Sequence, residues 1–262
     1  MTPMVRWAVG TTLMLSVLGL SLVGCQKPAA KTNPGDFQEL SSKTLKEGSG
    51  HKIGEGDIVY IQYRGSFING QVFDTNIERA DRPPFAMTIG RLGSIKGLQE
   101  ALKGKQKGGQ YEFKIPSSLA YGKSGQAPNI PPDTGLIFYV EVLDVVPKDE
   151  PDVVTSKDIT VGTGPAAATN DKFFYHFQAF YVDGKKIDDS RLRKPEPESF
   201  VIGKRQAIPG VDYGVIGMKA GGKRRLEIPP AMAWGEVGFF TVAVNQKLII
   251  EIECIRIEKA GA

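Results

Sequence analysis

The chain carries one pattern twice, and that repeat constrains its architecture more than any other feature. Asp57-Ile58-Val59-Tyr60-Ile61-Gln62-Tyr63 alternates so that Val59, Ile61 and Tyr63 share a face. Lys172-Phe173-Phe174-Tyr175-His176-Phe177 does the same with Phe173, Tyr175 and Phe177. Each stretch leads to a turn dipeptide, Asn69-Gly70 or Asp183-Gly184, that suits a type I′ hairpin. An apolar-Asp pair follows, Phe73-Asp74 and then Ile187-Asp188. Ile95, Leu98 and Leu102 are spaced for one helical face, as are Ile208, Val211 and Val215. Gly108-Gly109 answers to Gly221-Gly222, and Ala120-Tyr121-Gly122 to Ala233-Trp234-Gly235. Each copy closes on an alternating strand, Leu136 to Leu143 or Leu248 to Ile255. Tyr63, Asp74, Ile95, Tyr121 and Phe138 thus recur 112–114 residues later as Phe177, Asp188, Ile208, Trp234 and Ile250. A period this long marks a duplicated domain, not a solenoid.

Mostly antiparallel strands around one short helix predict an α+β layout in each copy. The domains are expected at residues 37–148 and 153–260, with 149–152 as a linker in a run of prolines and charges. The chain's 31 glycines and 17 prolines fit a turn-rich fold. A net charge of only +4, with no long basic run, argues against nucleic acid as a partner. His51 and His176 are far apart and lack ligand-like neighbours, so no metal site, His-based catalysis or cofactor is expected. Cys254 shares a strand face with Ile250 and Ile252, which suits a buried, inert thiol.

The N-terminus reads as an address. Arg6 precedes an apolar or small-residue stretch from Trp7 to Gly24, and Leu22-Val23-Gly24-Cys25 resembles a bacterial lipobox. Residues 1–24 are therefore expected to be a signal peptide and Cys25 a lipidated first residue. An uncleaved membrane helix is the alternative, but the run is shorter than the ~20 apolar residues a span needs. Residues 25–36 read as a flexible tether. Gln26 after the Cys resembles the outer-membrane sorting pattern, which implies an exported lipoprotein facing the periplasm and touching the membrane through its lipid.

The two copies resemble the FKBP-type peptidyl-prolyl isomerases. The resemblance is strongest at Gly90 to Gly97, at Ile115 to Gly122, at Ile130-Pro131-Pro132-Asp133-Thr134-Gly135-Leu136-Ile137-Phe138 and, in the second copy, at Gly217 to Arg225. It implies, in each copy, a twisted antiparallel sheet of about five strands wrapped on one short helix, with an apolar pocket between them. Carried over residue by residue, it makes Tyr63, Asp74 and Tyr121 the catalytic group. Phe73, Phe85, Ser94, Ile95, Leu98, Ile130 and Phe138 become the substrate-binding walls. Leu98 stands where many members have Trp, Ser94 replaces an aliphatic residue and Gln126 replaces a flap His, which implies altered depth and selectivity. Either Arg79 or Arg82 is placed to pair with Asp74. Taken singly, Tyr63, Phe73 and Phe138 read as core, Tyr121 as a turn aromatic and Asp74 as a cap. Their joint fit to one pocket is what points to a site.

In the second copy the equivalents are Phe177, Ile187, Asp188, Glu198, Ile208, Trp234 and Ile250. The Tyr63 hydroxyl is lost, a carboxylate replaces an aromatic wall, and Gly238 to Val242 occupies the region of the Ile-Pro-Pro flap. The expectation is an inactive binding domain behind an active one. Proline-containing polypeptides are the implied partners. The alternative is a membrane-tethered chaperone or assembly factor that needs no turnover. Many family members carry a long N-terminal dimerisation helix; residues 26–50 show no such pattern, so a monomer is expected. Labelled lipid should be incorporated by the native chain and lost in Cys25→Ser. Incorporation that survives the substitution, or none in the native chain, contradicts the anchor.

Overall fold

The computed structural model describes residues 33–77, 79, 81–150, 152–239 and 242–261. The expected signal peptide, Cys25 and the tether as far as residue 32 lie outside them. In the first copy the strands are β1 (Ser41–Lys46), β2 (Ser49–Lys52), β3 (Ile58–Phe67), β4 (Val72–Thr75) and β5 (Phe85–Thr88). Helix α1 (Lys96–Leu102) follows, then β6 (Gln106–Lys107), β7 (Gln110–Ile115) and β8 (Leu136–Val146). The second copy comprises β9 (Thr155–Thr160), β10 (Lys172–Phe180), β11 (Lys186–Asp189), α2 (Ser190–Arg193), β12 (Glu198–Val201), α3 (Pro209–Gly214), β13 (Lys223–Ile228) and β14 (Leu248–Glu258).

The fold is α+β, with two six-stranded antiparallel sheets of the same topology and a two-stranded ribbon of β2 and β6. The first runs β1-β7-β8-β3-β4, with β5 also on β3; the second runs β9-β13-β14-β10-β11, with β12 also on β10. Both short strands of each copy share one edge of the long central strand. β5 pairs with Ile58 to Ile61, and β4 with Arg64 to Ser66. The chain therefore leaves the sheet after Thr75 and rejoins it at Phe85. That excursion later supplies the first pocket's rim.

Alternation explains the two cores. Leu136, Phe138, Val140 and Val142 of β8 point inward with Val59 and Ile61 of β3, and Leu98 and Leu102 of α1 close the layer. Val211, Leu226, Leu248 and Ile252 build the second core in the same way. Ile95 and Ile208 precede the helices instead of lying within them: each has extended backbone and serves as the N-cap residue. Cys254 is fully buried and free, and burial pushes its thiol up to about 11.

The hairpin turns differ from expectation. A type I′ turn needs a positive φ at both central residues, yet Asn69 and Asp183 do not have one, while Gly70 and Gly184 do, at 84° in both. Gly70 N–H donates to the Phe67 carbonyl at 2.9 Å, and Phe67 N–H to Gln71 at 2.9 Å. The result is a three-residue loop, a type I turn closed by a glycine bulge. The Asn69 side chain accepts from Gln71 N–H at 3.0 Å, which favours this turn because it satisfies the next backbone donor locally. Asp183 does the same for Lys185 at 3.0 Å.

Residues 33–36, expected within the tether, are tied to the first copy. Asn33 donates to the Asp133 carbonyl at 2.8 Å, and Asp36 accepts from Ser117 N–H at 2.7 Å and its hydroxyl at 2.5 Å. Tyr60 is fully buried although it faces away from the first core. The second copy covers it: its hydroxyl donates to the Asn245 carbonyl at 2.6 Å and accepts from Lys247 N–H at 3.0 Å. Lys247 also reaches Asp144 across the junction at 3.0 Å.

Candidate active site

The first pocket is a cavity of about 350 Å³ between the sheet and α1, and all ten residues expected there line it. Its aromatic walls follow from a local swap of bulk. A Cβ on Gly65 would lie 2.5 Å from the Phe73 ring, so only a glycine on β3 lets that ring lie across the strand. Phe73 then meets Phe138 edge-on at 5.8 Å and 79°. Tyr63 meets Phe85 at 5.9 Å and 67°. Leu98 is buried at the floor, and Ile130 closes the flap side.

One polar edge is built into this apolar box. The Tyr63 hydroxyl donates to one Asp74 carboxylate oxygen at 2.5 Å, and the Arg82 guanidinium donates to the other. Asp74 also accepts from Thr75 N–H at 3.0 Å. The alternatives for its cationic partner are thereby resolved: Arg79 pairs with Asp81 at 2.8 Å. Burial pushes the Asp74 carboxyl up, but the Tyr63 and Arg82 hydrogen bonds outweigh it and hold the group below the usual carboxylate range. Burial, and then the Asp74 charge, raise the Tyr63 phenol, so it stays a donor. Among the described residues, the Ile95 N–H at the foot of α1 and the half-buried Tyr121 hydroxyl have no protein partner.

Sequence reasoning missed Asn76. It is buried where β3 loses its neighbour between β4 and β5. Its side chain accepts from Tyr63 N–H at 2.7 Å and donates to the Ile61 carbonyl at 3.1 Å. It thus fixes the backbone that aims Tyr63 at Asp74. Ser190 performs this service in the second copy, accepting from Phe177 N–H at 2.9 Å. A short polar residue at matching positions of both repeats was the available signal.

The second pocket holds all seven expected equivalents and is larger, about 560 Å³. The strand register places Glu198 as expected: it faces Tyr175 as Phe85 faces Ile61. Ala179 stands in the place of Gly65 and Ile187 in that of Phe73, because the added Cβ leaves no room for a ring across the strand. Asp188 survives and keeps a backbone N–H, from Asp189 at 2.7 Å, and the Arg193 guanidinium at 3.4 Å, but Phe177 offers it no hydroxyl. Glu198 is paired with Lys194 at 3.2 Å and Arg193 at 3.5 Å, so the carboxylate is compensated. Trp234, in the place of Tyr121, stacks on Phe239 at 5.4 Å with ring planes 6° apart. A hydroxyl does face this pocket, from Tyr175 in the place of Ile61. Burial first, then the Glu198 charge, push it up to about 12.

The family model described as "FKBP-type peptidyl-prolyl cis-trans isomerase" matches residues 50–143 and 164–255. The human protein named "Peptidyl-prolyl cis-trans isomerase FKBP10" is 30% identical over 224 residues, covering 85% of this chain. The chain spans 38% of that relative's length. A "Probable FKBP-type peptidyl-prolyl cis-trans isomerase" of Haemophilus influenzae is 41% identical over 111 residues, 42% of this chain and 44% of its own. The crystal structure of FkpA from Escherichia coli is 38% identical, with 42% of this chain and 49% of that chain covered and a TM-score of 0.38.

The depressed Asp74 titration gives a direct check. Because its folded value lies below the unfolded one, its stabilising contribution is present above the unfolded value and lost as pH falls through the folded value. Carbon-13 NMR of labelled protein should show the Asp74 carboxyl titrating below an ordinary aspartate. The midpoint should move up in Tyr63→Phe and in Arg82→Met. An ordinary midpoint in the native chain contradicts the polar edge.

Proposed function

The chain belongs to the FKBP-type peptidyl-prolyl cis-trans isomerase family, and on that premise we propose that its first pocket catalyses cis-trans rotation of X-Pro bonds in exported polypeptides. The observation that carries this reading is the pairing of aromatic walls with a single fixed carboxylate in the first copy. Rotation is slow because amide resonance gives the C–N bond partial double-bond character, with a barrier of ~20 kcal/mol. Water stabilises the resonance form by solvating the negative carbonyl oxygen. A Pro ring held among Phe73, Phe85 and Phe138 leaves that water behind, which raises the planar ground state relative to the twisted one.

The polar groups orient the amide. The Ile95 N–H and the Tyr121 hydroxyl donate to substrate carbonyls on either side of the Pro. The Asp74 carboxylate presents a fixed negative edge towards the carbonyl carbon as its conjugation breaks. Tyr63 and Arg82 prevent that carboxylate from swinging away or taking up a proton. About 4 kcal/mol of differential stabilisation suffices for a thousand-fold acceleration. No nucleophile, metal or cofactor enters these steps.

The second copy binds without turnover in this reading. Its larger cavity lacks the aromatic wall at Ile187, the hydroxyl at Phe177 and the hydroxyl at Trp234. A monomer anchored through lipid on Cys25, at an outer membrane and facing the periplasm, would present both pockets to emerging chains. The tethered-chaperone alternative keeps the same pockets and needs no rate enhancement.

The test is NMR exchange on a proline peptide with the full chain. Asp74→Ala should lower kcat/KM by about tenfold. Asp188→Ala should leave it within about twofold. A native chain that binds the peptide without accelerating exchange would leave the chaperone reading in place of the enzyme.

A further inference from the structure

The segment that carries Arg82 towards the first pocket lies outside the sheet, just before Phe85 enters β5. It contains Pro83 and Pro84, which have no N–H to donate. The three successive carbonyls of Arg82, Pro83 and Pro84 each accept from a side chain of another segment. The Pro83 carbonyl accepts from Asn76 at 3.3 Å, within the first copy. The other two donors come from the second copy. Lys185 Nζ reaches the Arg82 carbonyl at 2.9 Å, and Gln246 Nε2 reaches the Pro84 carbonyl at 3.2 Å.

Lys185 is held by an ion pair and Gln246 by burial. Lys185 sits at the base of the β10–β11 turn, where the buried Asp183 carboxylate holds its ammonium at 3.2 Å. The same carboxylate accepts from Gln62, next to Tyr63 in β3, at 3.3 Å. Gln246 is buried beside Lys247, whose backbone N–H donates to the Tyr60 hydroxyl and whose ammonium pairs with Asp144. A cavity of about 250 Å³ lies at this junction, directly behind Tyr63, Arg82 and Phe85, with Ala243, Val244 and Gln246 on its far side. The second copy therefore lines the cavity behind the first pocket's wall.

We propose that Lys185 and Gln246 are positioning residues for the first pocket: by fixing the Arg82 and Pro84 carbonyls, they set the Arg82 guanidinium against Asp74 and hold Phe85 in the wall. The second copy is then a brace that completes the polar edge, whatever its own pocket binds. This inference rests on the isomerase reading for its kinetic consequence, but its geometric consequence is independent of turnover.

The experiment uses the full chain with Lys185→Met, Lys185→Arg, Gln246→Leu and Glu236→Gln. Glu236 forms an exposed junction pair with Arg91 and touches none of the three carbonyls, so it serves as the control. Two quantities are read: the Asp74 carboxyl midpoint by carbon-13 NMR, and kcat and KM on a proline peptide. Lys185→Met and Gln246→Leu should each raise the Asp74 midpoint and lower kcat about threefold, with KM within about twofold. Lys185→Arg should restore both, Glu236→Gln should change neither, and in an Asp74→Ala background Lys185→Met should lower kcat no further. An Asp74 midpoint unchanged in both Lys185→Met and Gln246→Leu overturns the proposal. If the native chain shows no catalysis, the isomerase reading falls, and the Asp74 midpoint still decides the positioning role.

Discussion

A carboxylate at the rim of an aromatic pocket stays charged only while its partners outweigh its loss of water. Asp74 meets that condition through the Tyr63 hydroxyl, the Arg82 guanidinium and one backbone N–H. Each partner in turn depends on something larger. Tyr63 is aimed by Asn76, which fills the gap between β4 and β5. Arg82 is carried by a proline-rich excursion fastened partly by the second copy. Phe73, the neighbour of Asp74 in sequence, lies across β3 only because Gly65 has no side chain. One charge thus requires a particular gap in the sheet, a particular glycine and an external brace.

The second copy shows what happens when that chain of requirements is relaxed. With Ala179 in the place of Gly65, the ring across the strand gives way to Ile187, and the cavity widens from about 350 to about 560 Å³. With Phe177 in the place of Tyr63, Asp188 loses the hydroxyl and keeps a backbone N–H at 2.7 Å and a guanidinium at 3.4 Å. The sheet, the helix and the buried polar plug persist with Ser190 in the role of Asn76. Fold and pocket chemistry are therefore separable: the fold rests on alternation and the core, and the pocket chemistry on a handful of paired exceptions.

Much of this was legible in the sequence, for identifiable reasons. Period-two alternation and the 112–114-residue repeat expose the strands, their order and the duplication. The strand register sets Glu198 opposite Tyr175 as Phe85 stands opposite Ile61, the equivalence that carrying the first pocket over to the second copy gives. What stayed hidden is conformational or non-local. Asn69-Gly70 and Asp183-Gly184 favour a type I′ turn by composition, but an Asx hydrogen bond selects a type I turn with a bulge. Tyr60 lies on the polar face of an alternating strand, and only the packing of two domains shows why that face is buried. The choice between Arg79 and Arg82 depended on the path of a loop with no periodicity, and Tyr175 regained a hydroxyl two residues from where one had been lost.

The most direct measurement is exchange broadening in isotope-labelled full-length protein while it turns over a proline peptide. The account predicts broadening of the Tyr63, Ile95 and Tyr121 backbone signals at the rate at which the peptide itself isomerises, with the Phe177, Ile208 and Trp234 signals lacking that rate. Broadening at the second-copy residues with the peptide's isomerisation rate, or at neither set, would contradict it.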